Sequence, residues 1–116
     1  MNRLPDRLDS ALTTRLREVV GGQPAVESEL RSLADLAGGW ARATEAQLRA
    51  AEGRLAGLNA DATSDLADIA TEVRRVEALA QELEEARTLI AGLEQRTREL
   101  RTAWLKHHAD SARRPS

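Results

Sequence analysis

A seven-residue apolar period runs through the second half of the chain. Its members are Leu48, Leu55, Ala62, Ile69, Val76, Leu83, Ile90, Thr97 and Trp104. A second column three residues further on is mostly Ala and Leu, with Asp65 and Glu72 as charged exceptions. This period predicts a near-continuous apolar seam along a long α-helix, about 85 Å at 1.5 Å per residue. Because a seam of this length has to be buried against other helices, we expect an assembly component.

Composition favours the same fold class. The 116-residue chain contains two Trp and no Phe or Tyr, and strands prefer aromatic and large β-branched side chains. It has no cysteine, which excludes a disulfide framework, a zinc–thiolate cluster and a thiol nucleophile. We therefore expect an all-α fold, in which a long coiled-coil helix and a short N-terminal helix form part of a helical bundle.

Charge and hydropathy argue against a secreted or membrane-spanning chain. Arg3, Asp6, Arg7 and Asp9 interrupt the segment where a signal peptide needs an apolar run. No stretch approaches the roughly 20 apolar residues that span a bilayer. The formal net charge of −2 gives no global attraction to nucleic acid or an anionic membrane. We expect a cytoplasmic protein that does not insert into membranes.

The chain divides into three predicted segments. Residues 1–22 predict a short helix and a joint, because Pro5 suits a first helical turn and Gly21–Gly22 suit a helix end. The apolar face of this helix is formed by Leu8, Leu12, Leu16 and Val19. Residues 23–109 form the predicted coiled-coil region, starting near Pro24, and residues 110–116 a flexible tail.

An earlier apolar stripe precedes the main seam and lies one residue out of its register. Its members are Val26, Leu30, Leu33, Ala37, Trp40 and Thr44. The register changes after Gly38–Gly39 and ahead of Gly53 and Gly57. Glycine costs about 1 kcal/mol against alanine inside a helix. We favour the interpretation that these glycines are tolerated soft spots over a close helix approach or a bend.

Residues 57–64 allow two interpretations. The segment 59–64, Asn-Ala-Asp-Ala-Thr-Ser, is rich in residues that cap helices and form turns. The seven-residue column nevertheless passes through this segment without a break. We favour a continuous or gently kinked helix, with a helical hairpin as the alternative.

Two groups of side chains are candidates for binding a partner. The first is the seam: Leu48, Leu55, Leu58, Leu66, Ile69, Val73, Val76, Leu79, Leu83, Ile90, Leu93, Leu100 and Trp104. The second is a carboxylate row with spacings of four, three and four residues: Asp61, Asp65, Asp68 and Glu72. These spacings predict one helical face, and residues 55–73 contain no Lys or Arg. The row is either a solvated acidic face or a contact for basic side chains of a partner.

The residue pattern predicts no catalysis. Helical di-metal sites pair Glu with a His three residues further on, whereas the only histidines are His107 and His108. The basic C-terminal end lacks the interleaved aromatics that stack on bases. No glycine-rich phosphate loop follows a strand. We expect no enzyme, no metal, no cofactor and no nucleic-acid partner.

Two short blocks resemble a known family of small coiled-coil proteins. Residues 66–70, Leu-Ala-Asp-Ile-Ala, are similar to the apolar-x-Asp-Ile-Ala stretch of subunit 2 of the biogenesis of lysosome-related organelles complex 1. Residues 90–95, Ile-Ala-Gly-Leu-Glu-Gln, resemble its aliphatic-Ala-small-Leu-Glu-Gln stretch. The resemblance implies a non-catalytic subunit of an elongated cytosolic complex, peripheral to endosomal or lysosomal membranes. It also implies a role in cargo sorting and organelle transport.

Three functional hypotheses remain at this point. The first is a coiled-coil subunit of a hetero-oligomeric complex, because Asp65 and Glu72 would oppose like charges in a homodimer. The second is a self-associating homodimeric tether or scaffold. The third is a membrane-surface amphipathic helix, which the mixed charges of the polar face disfavour.

Overall fold

The computed structural model describes the backbone of residues 3–113 and the side chains of residues 10–111. Over this range the chain forms three α-helices and no strand: α1 (Arg3–Val20), α2 (Glu27–Ala60) and α3 (Leu66–Arg113). The predicted all-α fold with a short N-terminal helix is confirmed. None of these three helices is long and apolar enough to cross a membrane.

The first helix ends at the predicted glycine pair. The Gly22 backbone N–H donates to the Val19 carbonyl at 3.1 Å, and the Gln23 N–H donates to the Glu18 carbonyl at 2.9 Å. Gly22 has a φ of 109°, in the left-handed region that glycine adopts without steric cost. This pattern satisfies carbonyls that the helix itself leaves unpaired, and the chain can then turn toward α2.

The sequence predicts that the second helix starts near Pro24, and the helix begins three residues later. The Leu30 N–H donates to the Val26 carbonyl at 3.0 Å, which makes Val26 the residue that precedes the first turn. Val26 is 67% exposed, so its assignment to the buried stripe is wrong. The side chain points away because the helical spacing starts only after it. Glu27 and Glu29 lie in the first turn, where the helix dipole favours negative charge.

A five-residue turn at 61–65 separates α2 from α3, so the favoured continuous or kinked helix is wrong and the hairpin is correct. Asp61 Oδ1 accepts hydrogen bonds from the Thr63 N–H at 2.9 Å and the Thr63 hydroxyl at 2.7 Å. Asp65 Oδ1 accepts from the Ala67 N–H at 3.0 Å and caps α3. These bonds prevail because Ala62, the column member here, has little apolar surface to bury.

The third helix extends past the predicted start of the flexible tail. It continues to Arg113, four residues into the segment 110–116. No Gly or Pro occurs between His108 and Arg113, so the sequence contains no helix breaker before Pro115. Residues 114–116 lie outside the described part of the chain.

The helices are distributed over two compact units. Unit 1 contains the residues up to 36 and those from 89 onward, and unit 2 contains residues 37–88. Unit 1 therefore combines α1, the start of α2 and the second half of α3. Unit 2 is a hairpin made of the remainder of α2 and the first half of α3.

Unit 1 has a core of large aliphatic side chains. Leu16 and Val19 of α1 are fully buried, and Leu12 is partly buried. Among the described side chains, the large aliphatic residues that this unit buries are Leu16, Val19, Leu30, Leu33, Leu89 and Leu93. Leu8, which the sequence places on the same face, lies outside the described side chains. Three helical segments thus enclose this core from several sides.

A bidentate ion pair ties α1 to the start of α2 in unit 1. Arg15 Nε lies 2.6 Å from Glu29 Oε2, and Arg15 Nη2 lies 2.6 Å from Glu29 Oε1. Arg15 Nη2 also donates to the Pro24 carbonyl at 3.0 Å. Hydrogen bonding from Arg15 lowers the pKa of Glu29, and the same contact raises the pKa of Arg15.

Unit 2 has a thinner core. Its buried side chains are Ala37, Thr44, Ala51, Leu83 and Ala86. Leu83 is therefore the one large aliphatic residue that this unit buries below one tenth exposure. Small residues at the other positions allow α2 and α3 to approach closely, but two helices cannot surround the larger side chains at the edges of their contact.

Candidate interaction surface

The seam residues predicted as a partner interface differ widely in burial. Leu83 and Leu93 are 5% and 2% exposed, because they pack within their own units. Leu66 and Trp104 are 80% and 59% exposed. The others are partly exposed: Leu48, Leu55, Leu58, Ile69, Val73, Val76, Leu79, Ile90 and Leu100. The two buried leucines are thus occupied inside the chain, and the remaining seam residues retain surface that a partner could cover.

The largest group of partly exposed seam residues lies in unit 2. It comprises Leu48, Leu55, Leu58, Ile69, Val73, Val76 and Leu79, and we refer to it as the hairpin face. Along each helix these residues recur at intervals of three, four or seven, so they follow the line of contact between α2 and α3. Their outer edges reach solvent because unit 2 contains no third helix.

Two polar contacts fix the register of the hairpin. Trp40 Nε1 on α2 donates to Glu82 Oε1 on α3 at 3.4 Å. Nearer the turn, Arg54 Nε donates to Glu72 Oε1 at 3.1 Å. Since each contact joins a residue of α2 to a residue of α3, a shift of one helix by a single turn would break both. The hairpin face is therefore presented in one defined alignment.

Glu72, a charged exception in the seam, is matched within the chain. Its side chain is 14% exposed, against 50% for its partner Arg54. Glu72 Oε2 is buried without a hydrogen bond, and Arg75 Nε approaches it to 3.9 Å. A carboxylate in the seam thus has basic neighbours on both helices and does not depend on another molecule for a counter-charge.

The four carboxylates singled out in the sequence do not form one helical row. Asp61 lies in the turn and Asp65 caps α3, so only Asp68 and Glu72 belong to the helix. The predicted shared face is wrong because α3 begins after Asp65. The hydrogen bond from the Thr63 side chain, and to a smaller extent the one from the Thr63 backbone, lowers the pKa of Asp61.

Within residues 10–111, no group of three His, Asp or Glu is placed to hold a metal ion.

A shallow groove lies beside the turn of unit 2. Its volume is about 440 Å³, and it is bordered by Arg54, Gly57 and Leu58 of α2 and by Asp68, Thr71 and Glu72 of α3, of which Arg54 and Glu72 are paired with each other. Asp68 is exposed and forms no ion pair among those found for the described residues. An aliphatic wall next to a free carboxylate suits the stem and ammonium group of a lysine, or the guanidinium of an arginine.

A close helix contact occurs at a glycine that the apolar pattern did not single out. A Cβ placed on Gly92 would lie 2.8 Å from Val20 Cγ1 and 3.2 Å from Val20 Cγ2. The same construction at Gly39, Gly53 and Gly57 meets no atom within 4 Å. The open space at these three positions agrees with the interpretation of soft spots. A pairing of Gly92 with Val20 leaves no trace in the periodicity, because it depends on how α1 packs.

No family model matches this chain, and no similarity to a curated protein or a solved structure was found. The resemblance to subunit 2 of the organelle-biogenesis complex accordingly stays a prediction from the sequence.

Proposed function

We propose that this protein is a non-catalytic helical subunit that binds another helical protein through the hairpin face. The carrying observation is the contrast in burial between the units. Among the described side chains, unit 1 buries six large aliphatic residues, whereas unit 2 buries only Leu83 and leaves seven seam residues partly exposed. A continuous line of partly exposed aliphatic side chains is typical of a helical layer onto which a second layer packs.

The energetics support a helical partner. Covering apolar surface contributes about 25 cal/mol per Å², so the gain grows with the length of contact that the partner maintains. A straight line of side chains at heptad spacing is matched over its full length by one or two further helices with the same period. The expected complex is therefore a layer of helices packed on the hairpin, with Val73 and Val76 near its centre.

The charges at the turn end of the hairpin indicate which side chains a partner would carry there. The turn end of the hairpin carries Asp61 and Asp68 as exposed carboxylates. Residues 55–73 supply no basic side chain of their own. A partner with Lys or Arg at this end would gain favourable contacts with Asp68, and an acidic partner would be repelled.

The cellular setting of the proposal rests on the sequence. We propose a hetero-oligomeric, cytoplasmic complex, peripheral to endosomal or lysosomal membranes, that serves lysosome-related organelle biogenesis and transport. The support is the resemblance of residues 66–70 and 90–95 to blocks of the organelle-biogenesis subunit. In the structure, the first block forms the first residues of α3 and includes Ile69 of the hairpin face, so a partner bound there would contact it directly.

A homodimeric tether is a second candidate, and one observation favours it. From the sequence, Asp65 and Glu72 are expected to meet like charges across the seam of a homodimer. Asp65 instead caps α3, and Glu72 is paired with Arg54. Because Asp65 is bonded to the helix start and Glu72 already has a basic partner inside the chain, these two carboxylates are not the like-charge obstacle to a second copy that the sequence indicates.

Affinity capture of the tagged full-length chain from its own cells tests the proposal, with two variants of α3. Val76→Lys places a charge on the hairpin face, and Gln81→Lys places the same charge on an exposed position of the same helix. We expect a defined helical protein to co-purify with the wild type and Gln81→Lys, but not with Val76→Lys. Circular dichroism shows whether each variant keeps its helicity, and Val76→Ala provides a milder change at the same site. Equal capture by all variants would contradict the proposal.

A further inference from the structure

The C-terminal part of α3 carries large apolar side chains that its own unit does not cover. Leu100 is the last partly buried residue among the described side chains of α3, and every described side chain from 101 to 111 is exposed. Trp104 is 59% exposed and Leu105 is 56% exposed. The Trp104 and His108 rings lie with centroids 3.9 Å apart, a contact that restrains the indole. A restrained, solvent-exposed Trp beside a Leu is typical of an interface anchor.

These two side chains border a groove in unit 1. The groove has a volume of about 570 Å³ and lies between the start of α2 and the end of α3. Ala25, Leu30 and Leu100 supply apolar lining, while Trp104 and Leu105 form the wall. The same few residues therefore provide both a concave apolar site and a protruding apolar anchor. That combination allows one copy of the surface to fit another.

The charges on the groove are of opposite sign. Glu27 comes from the first turn of α2 and Arg101 from α3, and both are exposed. The Glu27 carboxylate has only a loose contact with Arg31, at 3.6 Å between two largely exposed side chains, so it is available for a closer partner. A partner helix of a single charge sign would be repelled by one of these groups. A second copy related by a two-fold axis would place each Arg101 against the other Glu27.

We propose that two copies of this chain associate through the groove as a two-fold symmetric dimer. Trp104 of each copy packs into the groove of the other, and two Arg101–Glu27 ion pairs flank the contact. Closed two-fold contacts of this kind require one self-complementary patch, which this surface supplies. The inference goes beyond the proposed function, because it concerns a surface of unit 1 that is separate from the hairpin face.

A charge-exchange experiment on the full-length protein tests the dimer. Sedimentation velocity from micromolar to millimolar concentration measures the dissociation constant of the wild type and of Arg101→Glu, Glu27→Arg and the double variant. Each single variant places like charges against each other twice, so we expect weaker dimers. The double variant restores opposite charges and should dimerise again. An equimolar mixture of the two single variants should form a heterodimer, since each supplies the charge that the other lacks.

Two further variants, Trp104→Ala and Arg98→Glu, test the apolar anchor and provide a control for the charge changes. Removing the Trp104 anchor should raise the dissociation constant about 30-fold or more, the range of a buried hot-spot Trp, with helicity unchanged. Arg98 is exposed on the same helix but lies outside the groove, so its reversal should leave the dimer intact. In a Trp40→Phe background, the fluorescence of Trp104 should shift to the blue as the dimer forms.

Three results would overturn the inference. They are a monomer at every concentration, a dimer indifferent to Trp104→Ala, and failure of the mixed single variants to associate. Val76→Lys separates this inference from the proposed function. It alters the hairpin face, so it should abolish partner capture and leave this dimer in place.

Discussion

Gly92→Ala should destabilise the protein, although alanine is the better helix former. In an open helix interior, replacing Gly by Ala stabilises by about 1 kcal/mol. At Gly92 the added methyl carbon would lie 2.8 Å from Val20 Cγ1, well inside the 3.5–4.0 Å at which carbon atoms normally touch. Both Cγ atoms of Val20 face this point, so no rotation of a single methyl group relieves the clash.

The expected size of the effect follows from these two opposing terms. Overpacking a well-packed contact costs about 1–3 kcal/mol, and the propensity gain offsets about 1 kcal/mol of it. The net change in the free energy of unfolding should be a loss of about 0–2 kcal/mol. Gly53→Ala is the matched control, because a Cβ there meets nothing within 4 Å. It should instead gain about 1 kcal/mol.

Urea unfolding followed by far-ultraviolet circular dichroism measures both changes, and a double-mutant cycle isolates the contact. In a Val20→Ala background the methyl groups that obstruct the new Cβ are gone. Gly92→Ala should then become stabilising by about 1 kcal/mol, so its sign should reverse. If Gly92→Ala and Gly53→Ala stabilise the wild type equally, the close approach of α1 to α3 at this point does not exist.

Three further changes test other parts of the structure. Leu83→Ala should cost about 2–5 kcal/mol of unfolding free energy in urea titration, even without a partner, because Leu83 is 5% exposed within its own chain. Gln81→Ala should stay within about 0.5 kcal/mol, and equal effects would contradict the burial. Arg54→Met alone should be destabilising, since it removes the hydrogen bond to the largely buried Glu72 carboxylate and leaves it only the 3.9 Å approach of Arg75. Adding Glu72→Leu should recover that loss, and a lower urea midpoint for the double variant would contradict this reasoning. The pKa of Glu29 lies below its ordinary value in the folded state. Its contribution to the free energy of unfolding is therefore fully present above the pKa of the unfolded state and is lost as the pH falls through the pKa of the folded state. The urea midpoint of Glu29→Gln should consequently fall less on acidification than that of the wild type, and parallel curves would rule out this linkage.

The apolar pattern predicted the inward face of α2 well. Leu30, Leu33, Ala37 and Thr44 are all buried, because four-and-three spacing determines which side chains share a side of a helix. Val26 failed because it lies outside the helix, and periodicity does not report where a helix begins. That information is carried by the hydrogen bonds of the first turn.

The pattern gave the wrong preference at the turn, and the reason is local. A column of period seven needs only one residue in the segment 57–64, and an alanine satisfies it by chance. The cap formers Asp61, Thr63 and Asp65 were the stronger signal, since they replace hydrogen bonds that a helix end would otherwise lose. Contacts such as Arg54 with Glu72 follow only after the chain has reversed, so no sequence spacing could have indicated them.

The way in which the two units are distributed along the sequence has a consequence for the kinetics of folding. Unit 2 is one continuous stretch, whereas unit 1 joins the beginning of the chain to its end, as in the 3.4 Å contact of Arg96 Nη2 with the Gly22 carbonyl, 74 residues apart. Contacts between distant residues form late because closing a long loop costs entropy before any contact compensates for it. During synthesis the hairpin of unit 2 can form while α1 waits for the second half of α3. A chain stopped before residue 89 would therefore leave Leu16 and Val19 without Leu89 and Leu93 to pack against, and the exposed apolar surface would make it prone to aggregation.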